Sequence, residues 1–357
     1  MTARFHSLTV SAIEPVTEDA VAITFDVPEP LAEAYRYLPG QHVALRCAIA
    51  GDDVRRNYSI CAPATSGVLR VGVKRLPGGV FSTYACERLQ VGDTIEVLTP
   101  AGRFTTPLDP AHTKHYAAIA AGSGITPILS IIATALQVEP CSRATLVYAN
   151  RTARSIMFLE ELEDLRDRHL GRLDILYLLD EETREVELLS GMLDGERLGR
   201  ILRALVPVDS ADEWFVCGPQ GFTDAARATL IAHGADPDRV HRELFLASTA
   251  PSAPSAAPPA SVSTAEAAKA TVTLDGRSSV VTVSDSETVL DAVLKVRPDA
   301  PFACKGGVCG TCRARLVSGT VDMAQNYALE QVEVEQGYVL ACQSRPTSDA
   351  VVLDFDG

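Results

Sequence analysis

Hydrophobic and polar residues alternate in short runs over residues 1–105, a pattern typical of β-strands. Turn residues such as Pro39-Gly40 and Gly51-Asp52 separate these runs. Six short strands with this spacing predict a small antiparallel β-barrel. The predicted strands are residues 5–14, 21–27, 42–49, 54–60, 69–74 and 94–98.

The pattern changes after Pro110, where longer apolar runs alternate with helical periodicity. An apolar strand at 116–121 meets the segment Gly122 to Pro127, which opens a helical stretch. Strand, helix and strand in succession predict a parallel, doubly wound α/β sheet. Further strands are predicted at 144–148, 173–178 and 213–217, and helices at 156–170 and 219–234.

Between residues 247 and 268, Ala, Ser, Pro and Thr supply every position except Val262 and Glu266. This composition predicts a flexible linker, because it offers little apolar surface to offset the entropy of ordering. The last segment, with strands over 270–283 and a helix over 287–296, predicts a small β-grasp body. The predicted fold class is therefore multidomain α/β, with a barrel (1–108), a parallel α/β domain (109–246), the linker (247–268) and the β-grasp domain (269–357).

The net charge of the chain bears on whether it binds nucleic acid or membranes. The chain has 46 Asp and Glu against 32 Lys and Arg, a net charge of −14, which repels nucleic acid and anionic membrane surfaces. No apolar run reaches the roughly 18 residues that a membrane span needs, and the first residues do not form a secretory signal. We therefore expect a cytoplasmic protein that binds neither nucleic acid nor membrane, whose nine cysteines do not form a disulfide framework.

Four cysteines carry the most specific motif in the chain. Cys304, Cys309 and Cys312 follow the spacing C-x4-C-x2-C, and Cys342 comes after 29 further residues. This is the plant-type pattern in which four thiolates hold a 2Fe-2S cluster. A zinc site or buried thiols are the alternatives, but zinc sites usually pair two close knuckles and only one close pair exists here.

Two motifs upstream suit an electron donor to such a cluster. In Arg56-Asn57-Tyr58-Ser59, the Arg suits a pyrophosphate, the Tyr can stack on a flat ring, and the Ser can bond a ring nitrogen. The alternative is an exposed strand without a ligand. Gly122 to Pro127 joins a strand to a helix start, where backbone N–H groups suit phosphates, although Pro127 replaces the third glycine of the usual dinucleotide fingerprint.

Together these motifs resemble the ferredoxin–NADP reductase superfamily over essentially the whole chain. The domain order resembles that of oxygenase reductases with a C-terminal 2Fe-2S domain. Segments 5–10, 303–312, 326–330 and 337–343 look like those of the reductase subunits of bacterial phenylacetyl-CoA epoxidases, with the steroid-hydroxylase reductases as close relatives.

The resemblance implies a flavin site on the barrel. Arg56 would contact the FAD pyrophosphate, Tyr58 the isoalloxazine ring, and Ser59 its N5 atom. A second flavin segment, whose backbone and hydroxyl groups contact the ring carbonyls and phosphates, matches Val73, Lys74, Gly79 and Ser82.

The resemblance also implies a pyridine nucleotide site in the parallel domain. Thr126 and Cys217 would lie near the nicotinamide, and Glu243 and Phe245 would approach the flavin. A buried strand cysteine is the alternative reading of Cys217. The residues that would cradle the nucleotide are Gly122, Gly124, Thr126, Pro127, Cys217, Gly218 and Pro219.

Arginines after the strand 144–148 suggest which nucleotide is used. Arg151 and Arg154 lie where adenosine-ribose specificity is usually set, and the local sequence has no acidic residue for a ribose 2′-hydroxyl. This favours NADPH, with two solvated arginines as the alternative.

The implied function is electron transfer from NADPH to FAD, to 2Fe-2S and then to an oxygenase component. Ser59, Thr126, Cys217 and Glu243 are the expected catalytic residues. The implied oxygenase is the di-iron phenylacetyl-CoA epoxidase. The alternatives are a Rieske-type ring or steroid hydroxylase, or a redox-carrier subunit that does not itself oxidise NADPH.

Overall fold

The computed structural model describes residues 4–245, 268–329 and 331–357. These residues fall into two compact units, one holding 6–54 and 58–245, the other holding 268–329 and 331–357 together with 4–5 and 55–57. The predicted linker lies outside the described residues except for Ala268, which begins a strand. No helix in the described ranges is long and apolar enough to cross a membrane.

The first sheet has six strands, β1 (Phe5–Thr17), β2 (Ala20–Asp26), β3 (His42–Ile49), β4 (Asp52–Ser59), β5 (Leu69–Lys74) and β6 (Thr94–Leu98). Their order in the sheet is β4-β3-β6-β1-β2-β5. Its burial alternates as the pattern predicts: Leu8 and Val10 are buried in the core, while Thr9 between them is exposed. A bridge between Ile60 and Val71 joins the two ends of the sheet, which closes the predicted barrel. Helix α1 (Val80–Glu87) lies between β5 and β6 in the chain.

The second sheet has five parallel strands, which confirms the doubly wound prediction. Its strands are β7 (His115–Ala121), β8 (Arg143–Asn150), β9 (Leu173–Leu179), β10 (Glu213–Pro219) and β11 (Val240–Phe245), in the order β11-β10-β7-β8-β9. Its helices are α2 (Ile125–Val138), α3 (Leu159–Arg168), α4 (Gly195–Ala204) and α5 (Gln220–Ala232). The strand order reverses between β7 and β10, and ligands of such sheets bind where this reversal occurs.

Helix α2 connects the barrel and the parallel sheet through one core. Its first 12 residues are all buried, and eight of them belong to a hydrophobic cluster that also contains Phe104 and Cys61 from the barrel side. The ends of β7 and β10 are therefore held close to the barrel strands.

The third sheet has five strands, β12 (Ala268–Leu274), β13 (Arg277–Val283), β14 (Arg313–Ser318), β16 (Tyr338–Leu340) and β18 (Ala350–Asp354). Their order in the sheet is β13-β12-β18-β14-β16, and the neighbours β12 and β18 are parallel. Its core includes Cys312 and Cys342. Strands β15 (Val321–Met323) and β17 (Ser344–Pro346) form a separate antiparallel pair, and the helices are α6 (Val289–Leu294) and α7 (Gln331–Glu335).

Some elements differ from their prediction for local reasons. Strand β11 was not predicted because it is an edge strand in which only Val240 and Leu244 are buried, so its pattern is weak. Helix α3 begins at Leu159 instead of residue 156, because Phe158 has a left-handed backbone (φ 59°) that interrupts a helix. Helices α1 and α4 were not predicted.

Candidate functional site

The four motif cysteines form two pairs. Cys304 contacts Cys309, and Cys312 contacts Cys342. In the part of the chain that the structure describes, no three Cys, His, Asp or Glu side chains converge on a single ion position. A 2Fe-2S cluster has two irons, and four thiolates arranged as two pairs suit two irons better than a single zinc.

The loop between α6 and β14 shapes this site through its backbone. The Gly306 N–H donates to Cys304 Sγ at 3.3 Å. Gly307 has φ +76°, and a Cβ there would lie 2.9 Å from the Gln325 carbonyl oxygen, so only glycine fits without a shift. The residues therefore match a cluster that needs N–H donors close to its sulfurs.

A second cluster of predicted residues joins the barrel to the parallel sheet. Ser59, which is 3% exposed at the end of β4, donates from Oγ to Glu243 Oε2 at 3.1 Å. His42 Nδ1 lies 3.6 Å from the other carboxylate oxygen, Oε1. The Ser59 hydroxyl and the Glu243 carboxylate are thus held together in a mostly buried position where the barrel meets the parallel sheet.

Cys217 lies beside this carboxylate. It pairs with Glu243 in the parallel register of β10 and β11, and it is fully buried. Burial, reinforced by the negative charge of Glu243, raises the pKa of the Cys217 thiol well above its usual range. Cys217 is therefore a neutral thiol suited to packing and hydrogen bonding. Phe245, two residues after Glu243 in β11, lies on the same face of the sheet.

The predicted nucleotide loop lies at the reversal point of the strand order. A Cβ on Gly124 would lie 2.2 Å from the Cys217 carbonyl oxygen, so the glycine allows the loop and β10 to touch. Thr126 is buried and donates from Oγ1 to the Ser123 carbonyl at 3.0 Å. The Gly122 carbonyl accepts from the Tyr148 hydroxyl at 2.9 Å. The structure thus brings Gly122 to Pro127 and Cys217 to Pro219 together.

On the barrel, Tyr58 is half-buried and packs its ring against Phe81 of α1, with centroids 5.3 Å apart at 37°. Ser82 Oγ accepts from the Leu76 N–H at 3.1 Å and lies 3.3 Å from the Gly79 carbonyl oxygen. That hydroxyl shapes the loop before α1. Arg56 donates to the neighbouring Arg55 carbonyl at 2.7 Å.

The second predicted flavin segment approaches the nucleotide loop. A Cβ on Gly72 would lie 2.6 Å from Thr126 Cγ2, so β5 and the start of α2 are in direct contact. Val73 is fully buried in the barrel core, which leaves only its backbone for a ligand. Lys74 is partly buried, and its Nζ lies 3.6 Å from Asp19 Oδ1.

A cavity of about 590 Å³ opens beside Lys74. Arg151 lines it, and its Nη2 lies 3.9 Å from Asp19 Oδ2. Arg154 pairs with Glu18 of the same β1–β2 turn. Acidic residues therefore do stand beside these arginines, supplied by the barrel and not by the local sequence.

Sequence reasoning missed three contributors to the site. They are His42 beside Glu243, Gly72 against Thr126, and Asp19 beside Arg151. Each acts across elements that are far apart in the chain. A glycine inside the predicted strand 69–74 was the one available signal, since it indicates close approach of another backbone or side chain.

Three family models match the sequence of the chain. They describe an oxidoreductase FAD-binding domain over residues 7–106, an oxidoreductase NAD-binding domain over residues 118–228 and a 2Fe-2S iron-sulfur cluster binding domain over residues 272–347. The chain therefore carries FAD, NAD(P) and 2Fe-2S domains in that order. This confirms the predicted fold class and the coarse assignment of cofactors.

Curated relatives match over nearly their full length. The chain is 45% identical to one of the subunits of the 1,2-phenylacetyl-CoA epoxidase of Escherichia coli (strain K12), over 99% of this chain and 98% of that protein. It is 38% identical to the ferredoxin reductase component of 3-ketosteroid-9-alpha-monooxygenase of Mycobacterium tuberculosis, over 98% of this chain and 95% of that protein.

Solved structures are similar over the same span. An intact type IV self-sufficient cytochrome P450 monooxygenase matches 98% of this chain and 41% of its own, with a TM-score of 0.67 and 25% identity. Phthalate dioxygenase reductase, described as modular for electron transfer from pyridine nucleotides to 2Fe-2S, covers 98% of both chains with a TM-score of 0.56 and 24% identity, and supports the fold.

Proposed function

The chain belongs to the reductases that combine FAD, NAD(P) and C-terminal 2Fe-2S domains, the family that includes its phenylacetyl-CoA epoxidase relative, and we propose that it delivers electrons from NADPH to a separate oxygenase. When bound, FAD accepts a hydride and passes electrons singly to the one-electron cluster. The observation that carries the proposal is the Ser59–Glu243 contact beside Cys217. It joins the flavin strand to the nucleotide strands at a single buried point.

The protein's contribution is mainly to position two flat rings. Hydride transfer needs the donor carbon and acceptor nitrogen about 3–3.5 Å apart, and no general base has to take a proton from the nicotinamide. Ser59 donates its single hydroxyl proton to Glu243, which orients the side chain, and the hydroxyl oxygen would accept a hydrogen bond from the flavin ring. Thr126 and the neutral thiol of Cys217 would contact the nicotinamide ring. The buried position of these groups would keep water from the reacting atoms.

The remaining roles are proposed for the residues that match the family motifs. Arg56, Tyr58 and the segment after β5 would hold FAD. The nucleotide would lie against the loops that meet at the reversal point of the sheet. The full set is Arg56, Tyr58, Val73, Lys74, Gly79, Ser82 and Phe245 for the flavin, Gly122, Gly124, Pro127, Gly218 and Pro219 for the nucleotide, and Cys304, Cys309, Cys312 and Cys342 for the cluster.

We propose the domain boundaries 1–108, 109–246 and 269–357, with 247–268 as the connection, and a cytoplasmic location. The acidic net charge of −14 supports a protein acceptor over nucleic acid or an anionic membrane.

The terminal acceptor is proposed to be a di-iron phenylacetyl-CoA epoxidase, on the basis of the 45% identity over the full length. The test mixes the purified chain with NADPH and either that oxygenase or a ketosteroid monooxygenase, and measures the initial rate of product formation at several oxygenase concentrations. We expect kcat/KM for the epoxidase to be at least tenfold higher. A higher value with the steroid oxygenase would favour the second candidate, which the 38% identity supports. If NADPH–ferricyanide turnover is absent, the chain is a carrier without its own NADPH oxidation.

NADPH preference is proposed from the cavity that Lys74 and Arg151 line. A ribose 2′-phosphate would replace Asp19 as the partner of Arg151, since a dianion attracts a guanidinium more strongly than a carboxylate at 3.9 Å does.

Replacing Arg151 with Ala should raise KM for NADPH by roughly tenfold, the equivalent of one lost charge-assisted hydrogen bond, and change KM for NADH by less than about twofold. Steady-state ferricyanide assays with both nucleotides measure this. Arg168→Ala, on the exposed end of α3, is the control. Equal effects on the two nucleotides would contradict the phosphate role.

A further inference from the structure

Gln343 directly follows the fourth cluster cysteine and places a side-chain amide inside the cluster loop. Its Nε2 lies 2.8 Å from the Lys305 carbonyl oxygen, 3.0 Å from the Cys342 carbonyl oxygen and 3.4 Å from Cys342 Sγ. Two N–H hydrogens thus face three acceptors, one of which is a cluster sulfur. The 3.4 Å distance is normal for a hydrogen bond to sulfur, whose radius is larger than that of oxygen.

The position of this amide is determined by its surroundings. Two backbone hydrogen bonds hold the residue itself: the Gln343 backbone N–H donates to the Leu340 carbonyl at 2.9 Å, and the Gln343 backbone carbonyl accepts from the Ala324 N–H at 3.0 Å. A Cβ on Gly307 would lie 3.2 Å from Gln343 Cγ, so the glycine leaves just enough room for the side chain. The donor is therefore held in place before any cluster chemistry takes place, and its reorganisation cost is small.

We propose that Gln343 tunes the 2Fe-2S cluster, raising its reduction potential through the hydrogen bond to the Cys342 thiolate. The cluster gains one electron on reduction, so negative charge on its sulfurs increases. A donor aimed at a sulfur then stabilises the reduced form more than the oxidised form. This effect of Gln343 on the reduction potential is separate from the proposed function, because it does not depend on which oxygenase receives the electron.

Because the donor is a side-chain amide, substitution of Gln343 can remove its hydrogen bond to Cys342. The Gly306 N–H plays the same part for Cys304, at 3.3 Å, but only proline would remove that N–H, and its ring would also change the loop backbone. Gln343→Leu removes both N–H donors and keeps a similar volume. Gln343→Glu keeps the shape and replaces the donor with an acidic group.

The experiment is a potentiometric titration of the full-length protein, loaded with FAD and cluster, followed by the EPR signal of the reduced cluster. In Gln343→Leu, the ratio of reduced to oxidised cluster at a fixed potential should fall about three- to tenfold, a one-electron shift of roughly 28 to 59 mV to lower potential. Gln343→Glu should shift at least as far in the same direction. Gln331→Leu is the control, because Gln331 donates to Glu335 on exposed α7.

EPR detects only molecules that carry a cluster, so partial loss of iron leaves the potential measurable. NADPH–ferricyanide activity should remain at the wild-type level in every variant, which separates this test from that of the proposed function. A Gln343→Leu potential equal to that of the wild type, or a shift to higher potential, overturns the proposal. Complete loss of the cluster in both Gln343 variants also overturns it, since the residue would then be structural.

Discussion

Ser59 and Glu243 are 184 positions apart in the chain, yet a 3.1 Å hydrogen bond joins their side chains. The carboxylate also neighbours Cys217, whose thiol pKa is raised by burial and by that charge. At the scale of single residues, the site therefore consists of a hydroxyl oriented by a carboxylate and a thiol kept neutral. Both arrangements favour hydrogen bonding to a ring over nucleophilic attack.

Replacing Ser59 with Ala should slow reduction of FAD by NADPH about tenfold, because one hydrogen bond of roughly 1 to 1.5 kcal/mol to the flavin ring is lost. Bound FAD should stay near one per chain, since the pyrophosphate and stacking contacts remain. Anaerobic stopped-flow measurement of flavin absorbance gives the rate. Ser66→Ala, whose surface hydroxyl donates to Pro63, is the matched control. An unchanged rate in Ser59→Ala would contradict the role next to N5.

At the scale of elements, the close approach of the nucleotide loop to β10 depends on Gly124. This residue has an ordinary right-handed backbone (φ −61°), so the constraint is the space for a side chain and not the conformation. A methyl group there would push the loop away from the Cys217 backbone, and the start of α2 would move with it.

We therefore expect Gly124→Ala to raise KM for NADPH at least tenfold and to destabilise the fold by about 1–3 kcal/mol, as overpacking does. Gly221→Ala is the control, because Gly221 is in α5 with nothing within 4 Å of a new Cβ, and alanine is the better helix former. Steady-state kinetics and thermal unfolding measure the two effects. Similar behaviour of the two variants would show that the contact does not control the nucleotide site.

Glu213, the first residue of β10, holds the opposite end of the same sheet. Burial opposes its ionisation, but hydrogen bonds from His241, Lys114 and Thr106 prevail and lower its pKa to about 2. A carboxyl whose pKa is lower in the folded state stabilises the fold above its unfolded pKa of about 4.5, and that contribution is lost as the pH falls towards 2.

Glu213→Gln should therefore lower the free energy of unfolding by about 1–2 kcal/mol at pH 7, and the difference from the wild type should shrink as the pH falls below about 4.5. Thermal unfolding followed by circular dichroism over this pH range tests it. Glu196→Gln, on the exposed face of α4, should have little effect at any pH. A Glu213→Gln deficit that is the same at low and neutral pH would refute the charged network.

At the scale of the whole molecule, the cofactor domains occur on one chain in the order FAD, NAD(P) and 2Fe-2S. Because a flavin can take a hydride and release single electrons, the cluster should receive electrons only after the flavin. The compact unit that holds 6–54 and 58–245 contains the nucleotide domain and all of the FAD-binding segment except residues 55–57, and the other unit contains the four cluster cysteines.

Cys304→Ser should abolish the cluster absorbance and reduce electron delivery to cytochrome c or an oxygenase to below about a tenth, because one of four thiolate ligands is lost. Ferricyanide reduction by NADPH should continue, since ferricyanide takes electrons from the flavin. Cys141→Ser is the control, because Cys141 is exposed and lies outside the motif. If both activities fall together while FAD stays bound, the serial order is wrong.

Local patterns in the sequence determined much of this picture. Alternation of apolar residues predicted the six barrel strands, and the spacing of Cys304, Cys309 and Cys312 predicted the cluster chemistry, because ligands on one short loop need no long-range folding to be recognised. The tertiary structure alone decided the pairing of Ser59 with Glu243, the position of Asp19 beside Arg151, and the direction of the Gln343 amide. Each of these depends on how distant strands and turns pack together, and the apolar periodicity that locates a strand does not specify which polar side chains meet across its ends.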